Sequence, residues 1–369
     1  MKPGKYVYYP ILVILIYFGV DKICLDTRVK MLTQQDAVFL YFDYKTRLLK
    51  EMRKVYQKRL KSSKSGKRKI VMVLGSSRLM FFSYPQFSMN FPEWEIFNFS
   101  APVTAPAYYA YILQRTLDMG VKPDYIILET DPYQFNANSN VFVRSNLAYS
   151  FDLKFIFNHA GLITNDEISY FLARRMFAGY KYPLWPDNLI QRLSNRQYLY
   201  KLILLDKYQE LNRGAGTSLF FRPNWYQIDF PWLAGIAEKD FRRMYSDGNY
   251  RLSERQFVFL RKILDMASKN NIALLMLRPP VSRPMNLKIE KDKRLVKGLA
   301  EWEARFSEET RSYGYPFVDL GRRKDFKCNT YVDATHMSLD CYHPMLILSM
   351  REYEKGLRGR PRRNSSVKE

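Results

Sequence analysis

Residues 70–78 read IVMVLGSSR, an unbroken apolar run that ends in a glycine, two serines and an arginine. Apolar side chains at successive positions, rather than at alternate ones, fit a strand covered on both faces, as in a parallel sheet flanked by helices. The SSR that follows leads toward a turn and a helix. A Ser77 hydroxyl would then stand above the C-terminal edge of the sheet, where open α/β folds bind ligands. The next helix N-terminus would aim N–H groups at an oxyanion formed there. Taken alone, Gly75-Ser76-Ser77 is a weak signal, because serine is also an ordinary helix N-cap.

Working outward, a second strand fits 95–99, a helix fits 105–119 and a third strand fits 124–129. Strand, helix, strand at this spacing implies parallel pairing with right-handed crossovers. From 133 to about 250 the alternation stops, and the chain is rich in Tyr, Phe, Trp and Arg with helix-like stretches. This reads as an insertion or cap over the sheet. The α/β pattern resumes with a helix at 253–269, a strand from Ile272, a charged helix at 289–313, a strand at 316–320 and a last helix at 343–357. The expectation is a three-layer α/β fold with a flavodoxin-like parallel sheet over 70–356, and a basic, disordered tail at 357–369.

Near the end lies YVDATHMSLD, residues 331–340, with Asp333 and His336 three apart in a loop-like stretch after the last strand. A serine needs a base to become nucleophilic, and the base needs a carboxylate to fix its tautomer. Only three histidines occur in the chain, so one in this segment is informative. Asp340 and His343 repeat the spacing and compete for the role; Asp333 and His336 are preferred because they follow the strand and turn directly. His159 reads as a surface or capping residue. Arg78 and Arg278 could line the cleft or steer an anion; for Arg78 a salt bridge is the competing reading, for Arg278 a solvated loop.

These residues resemble the SGNH (GDSL-like) hydrolase superfamily, in which a Gly-x-Ser element after the first strand supplies the nucleophile and a late Asp-x-x-His supplies base and acid. GSSR and DATH look closest to its envelope branch: the teichoic-acid D-alanyl transfer proteins, the alginate O-acetylation proteins and an uncharacterised leptospiral family. The resemblance covers about 70–356 in element order, with specific residues at its two ends. It implies Ser77 as nucleophile with His336 and Asp333 completing the triad, and Ser76 in place of the acidic residue of the commoner Gly-Asp-Ser. The superfamily's further oxyanion donors, a Gly and an Asn, are matched by FNFSAP with Asn98 and by LETDPYQFN with Asp131. Asp131 cannot donate when ionised, so the Ser77 amide and Asn98 are the expected donors. A relative with so incomplete a site could also be an inactive polysaccharide-binding or assembly module of the envelope.

At the other end, Lys2 and Lys5 precede a charge-free run over 6–20. At 1.5 Å per helical residue it reaches only ~22 Å, short of a ~30 Å hydrocarbon core. Snorkelling Lys5, headgroup-level tyrosines and Ile23, Cys24 and Leu25 make up the difference. Residues 1–24 therefore read as a signal anchor, against a buried core helix or a cleaved signal. Residues 25–69 read as a basic juxtamembrane helix ending in a hinge, KRLKSSKSGKRK. Charge counting leaves the orientation open. The resemblance to envelope enzymes places the domain on the extracytoplasmic, periplasmic side of the cytoplasmic membrane.

Cys328 and Cys341 bracket Asp333 and His336. Either a disulfide braces that loop in an oxidising compartment or the two are free thiols. The formal net charge of +23 favours anionic partners, but no nucleic-acid motif accompanies it. No metal-ligand spacing and no phosphate-binding glycine loop occurs, so neither a metal nor another cofactor is expected. The expected partners are the membrane, an envelope polysaccharide or acyl-carrying lipid, and an integral membrane acyltransferase.

Overall fold

The computed structural model describes residues 5–35, 37–61, 68–216, 230–245, 249–328 and 330–359. The heart of the expected hinge (62–67), part of the expected insertion (217–229) and most of the expected tail (360–369) lie outside them. Among the described residues, β1 (Lys69–Leu74), β2 (Trp94–Asn98), β3 (Tyr125–Glu129), β4 (Ala273–Arg278) and β5 (Phe317–Asp319) form one parallel sheet in the order β2-β1-β3-β4-β5. Val71 of β1 stands opposite Ile96 on one side and Tyr125 on the other.

The period of two along β1 divides its side chains between the two faces. Ile70, Met72 and Leu74 pack with Ile126, Leu128, Leu274 and Met276 under the helices Pro106–Asp118 and Glu254–Lys269. Val71 and Val73 pack with Ile127, Leu275 and Leu277 under the helix Leu339–Gly359. Each fully buried aliphatic side chain contributes about 1.5–3 kcal/mol relative to exposure. That is why the run at 70–74 tolerates no polar residue on either face.

The chain leaves β1 to lay β2 on one side, then returns to lay β3 on the other. Strand order reverses between β1 and β3, and a crevice opens at their C-terminal ends, the usual ligand position in such sheets. The loop after β1 carries Ser76 and Ser77; the loop after β3 carries Thr130 and Asp131.

Among the described residues three helices precede the sheet: α1 (Lys5–Ile23), α2 (Thr27–Thr33) and α3 (Val38–Lys61). Within the stretch 25–69, expected as a basic juxtamembrane helix and hinge, α3 packs into the core. It buries Phe39, Leu40 and Tyr41 against one face and Phe42, Leu48, Leu49 and Met52 against the other. The buried Lys45 Nζ donates to the carbonyls of Asn98 at 2.7 Å and Gly214 at 2.6 Å. Burial holds that ammonium well below its usual value. Gly214 has φ +88°, and a Cβ there would come within 2.4 Å of the Asn98 carbonyl, so the approach of α3 to β2 depends on glycine at this point.

The apolar side chains of α1 from Tyr8 to Val20 are largely exposed. Its C-terminal end is docked: Asp21 accepts from the N–H groups of Ala178 and Gly179, both at 2.7 Å, and Phe18 stacks on Phe177. Among the described residues no single helix is long and apolar enough to cross a membrane. Tyr8–Ile23 and Thr27–Thr33, bent by 75°, pass together by length and composition only.

Two further expectations are revised. The charged helix at 289–313 is two helices, Arg283–Lys291 and Lys293–Arg311, because Asp292 caps the second by accepting from Arg294 N and Leu295 N. The last helix starts at Leu339 rather than at His343, with Pro344 inside it.

Candidate active site

The site is built from the turn after β1. Gly75 is required there: a Cβ would lie 2.8 Å from Leu79 Cβ and 2.9 Å from Glu129 Oε2. Ser76 turns inward, donating from its amide and, at 2.9 Å, from its hydroxyl to the Glu129 carboxylate. Burial pushes the Glu129 carboxyl up to about 7, against the opposing pull of Arg78 and the Ser76 amide. Ser77 begins a 3₁₀ turn, Ser77–Leu79, and faces outward into the crevice.

Ser77 Oγ lies 2.7 Å from His336 Nε2, and His336 Nδ1 lies 2.7 Å from Asp333 Oδ2. The second carboxylate oxygen, Asp333 Oδ1, accepts from the backbone N–H groups of Thr335 and His336, both at 2.8 Å. A carboxylate at Nδ1 favours the tautomer with the proton on that nitrogen, leaving Nε2 to accept the serine hydroxyl. The structure therefore brings Ser77, His336 and Asp333 together in one hydrogen-bonded run. Val332 N donates to His336 O, Tyr331 bridges Met337, and the Cys328–Cys341 disulfide closes the base of the loop.

Burial raises the Asp333 carboxyl, but His336 and the two amides outweigh it and hold the group well below the ordinary 3.8. A carboxylate depressed in the folded state contributes stability that is present above its unfolded pKa and lost as pH falls below it. In urea titrations between pH 6 and pH 3, the stability gap between wild type and Asp333→Asn is expected to narrow below about pH 4. A gap that stays constant with pH would refute the depressed carboxyl.

The structure corrects the expected role of Asn98. Its side-chain amide donates to the carbonyls of Leu79 at 2.9 Å and Met80 at 3.1 Å, while its oxygen accepts from Ser100 N. Both donors are spent inside the protein, so Asn98 pins the turn that carries Ser77 rather than facing an oxyanion. The Arg78 guanidinium is also directed inward. It is fully buried, paired with Asp131, and donates to the carbonyls of Pro279 and Pro280, although its edge lines the cavity. Arg278 neither lines this cavity nor lies in a solvated loop: it pairs with Asp319 at 3.1 Å.

The remaining histidines lie elsewhere. His343 is on the helix Leu339–Gly359 with Asp340 exposed beside it, and His336 is the one that reaches Ser77. His159 caps the helix Leu153–Asn158, bonded to Phe155 O at 2.8 Å and packed at a tilt against the rings of Phe155 and Phe259. Among the described residues no group of His, Cys, Asp and Glu is arranged to hold a metal ion.

The crevice is a cavity of about 370 Å³, lined by Ser77, His336, Thr335, Val103 and Tyr133 and by side chains from the helices between β3 and β4. Residues 1–353 match a sequence family described as a protein of unknown function, DUF1574. The chain belongs to that family. A search of curated proteins found no match. Among solved structures, the chain is similar to a Bacteroides fragilis NCTC 9343 protein described as a "putative acylhydrolase". The identity is 10% and the TM-score 0.35, over 82% of this chain and 95% of that one.

Two features of this DUF1574 chain escaped the sequence reading. Glu129 and Asp131 form an acidic floor that receives Ser76 and Arg78; the signal was two acids flanking Thr130 at a strand end. Val103 lines the cavity at φ +53°, a conformation that β-branched residues rarely adopt. Its only sequence mark is its place between two prolines in APVTAP.

Proposed function

We propose that this chain is a membrane-anchored, SGNH-type serine esterase or O-acyltransferase that acts on an acyl ester of the cell envelope. The observation that carries the reading is the run Ser77–His336–Asp333, with 2.7 Å at each link, opening on a cavity. Ser77 Oγ attacks the acyl carbonyl while His336 Nε2 takes its proton, and the leaving alcohol receives that proton as its bond to the acyl carbon breaks. Water, or an acceptor hydroxyl of a polysaccharide, then attacks acyl-Ser77, its proton passing through His336 back to the serine. Asp333 keeps Nδ1 protonated and orients the ring.

Among the described residues the Ser77 amide has no protein acceptor, which leaves it to donate to the oxyanion. The extracytoplasmic location draws support from the Cys328–Cys341 disulfide, and the anchor from the exposed apolar surface of α1. An acyl-carrying lipid and an integral membrane acyltransferase fit as donor and partner, because tethering raises the local concentration of both.

A second reading, an inactive envelope-binding or assembly module, is favoured by one observation. Asn98 and Asp131, the positions matched to the superfamily's donors, are both spent on internal contacts. Losing one oxyanion donor costs about 10²–10³ in turnover. The test treats the full chain in neutral detergent with a fluorophosphonate; truncation before β1 would remove α3 from the core. Labelling is expected in wild type and Ser76→Ala and absent in Ser77→Ala. A folded wild-type chain that takes no label would displace the enzyme reading in favour of the module.

A further inference from the structure

We infer that the cavity beside Ser77 contains an anion subsite, so that the ester it accepts carries a phosphate or carboxylate away from the reacting carbonyl. The inference deepens the serine-ester reading and rests on it. Its basis is the charge of the walls: Arg78, Arg144, Arg174 and Arg243 line the cavity, and among the described residues no Asp or Glu does.

Two of these arginines are already neutralised, Arg78 by Asp131 and Arg243 by Asp240 at 2.9 Å. Arg144 and Arg174 have no carboxylate partner among the described residues. Arg144 projects from the π-helical segment Phe142–Ser150, and Arg174 from the helix Asn165–Met176, so both are carried on regular elements rather than on a loop.

Arg174 is already oriented. Its guanidinium lies over the rings of Tyr170, Tyr180 and Tyr149, 5.2 to 5.8 Å from their centroids, and Nη2 donates to Lys181 O at 2.7 Å. Among the described residues its Nη1 makes no hydrogen bond, whereas Nε is buried away from solvent. A guanidinium held over rings with its Nη1 end left over is suited to a carboxylate or phosphate. A neutral acyl chain would leave the half-buried Arg174 charge without a counter-charge, while Arg144 at the exposed rim is free to meet an anion as it enters.

The test measures calorimetric binding to the wild-type full chain in neutral detergent at fixed ionic strength. The probes are sn-glycerol 3-phosphate, glucuronate and, as the neutral control, glycerol. Either anion is expected to bind at least tenfold more tightly than glycerol. Arg144→Gln and Arg174→Gln should each weaken that binding tenfold or more, with Arg174→Lys between. Arg53→Gln, on the exposed side of α3, should leave it unchanged and so control for the overall positive charge. The preferred anion identifies a phosphate-bearing or a uronate-like substrate.

Equal binding of anions and glycerol would overturn the subsite. So would unaltered anion binding in Arg144→Gln, whose exposed position spares the fold if Arg174→Gln unfolds. Anion binding with Ser77 unlabelled by fluorophosphonate would sink the esterase reading alone; a labelled Ser77 without anion binding would sink the subsite alone.

Discussion

Replacing His336 by alanine is expected to lower ester turnover by on the order of 10⁴- to 10⁶-fold, with binding of the substrate little changed. Among the described residues the hydroxyl of Ser77 has one base within hydrogen-bonding distance, His336 Nε2 at 2.7 Å, and without it the serine must attack as a neutral alcohol. Asp333→Asn should cost about 10⁴-fold by a different route. An asparagine amide facing Nδ1 would favour the opposite tautomer, placing a proton on Nε2 where the serine needs an acceptor. Because the three side chains act as a unit, Ser77→Ala with His336→Ala should be no slower than either alone. Steady-state hydrolysis of a p-nitrophenyl ester reads all four variants. A His336→Ala protein that keeps a tenth of wild-type turnover would remove the histidine from the mechanism.

Arg78→Met is expected to cost about 3–5 kcal/mol in urea unfolding, the usual result of removing one member of a buried ion pair. The guanidinium neutralises Asp131, lies close to Glu129, and supplies donors to Pro279 and Pro280 at the end of β4. Its loss leaves a buried carboxylate and two carbonyls without that partner. Pairing it with Asp131→Leu should restore part of the loss, since the carboxylate that Arg78 pairs with is then gone as well. Arg78 follows Ser77 directly, so the single variant should also slow fluorophosphonate labelling by disturbing the turn. A loss under about 1 kcal/mol would mean that the pair is not the lock it resembles.

The parts of this protein visible in its sequence are those governed by short-range rules. The apolar run at 70–74 had to be a doubly covered strand, and DYIILE and IALLML repeat that pattern, which together imply a parallel α/β sheet. Asp333 and His336 belong to one tight loop, and Ser77 follows directly from β1. The break at Asp292 was also readable, as an acidic N-cap, but continuous helical periodicity on both sides concealed it.

What only tertiary structure decided is where polar groups point once distant segments meet. Asn98 lies in the expected stretch, yet its amide faces the carbonyls of Leu79 and Met80, and spacing along a chain carries no record of that direction. Arg78 finds Asp131 and the Pro279 and Pro280 carbonyls across separations of 53, 201 and 202 residues. α3 reads from its cations as a surface helix, but the apolar face between Phe39 and Met52 becomes core only because β2 and Gly214 offer it a partner. The sheet and the Asp-x-x-His loop follow from local periodicity and local hydrogen bonding. The arginine-lined cavity follows from long-range packing, which places residues 144 and 174 beside residue 77 for reasons no local pattern encodes.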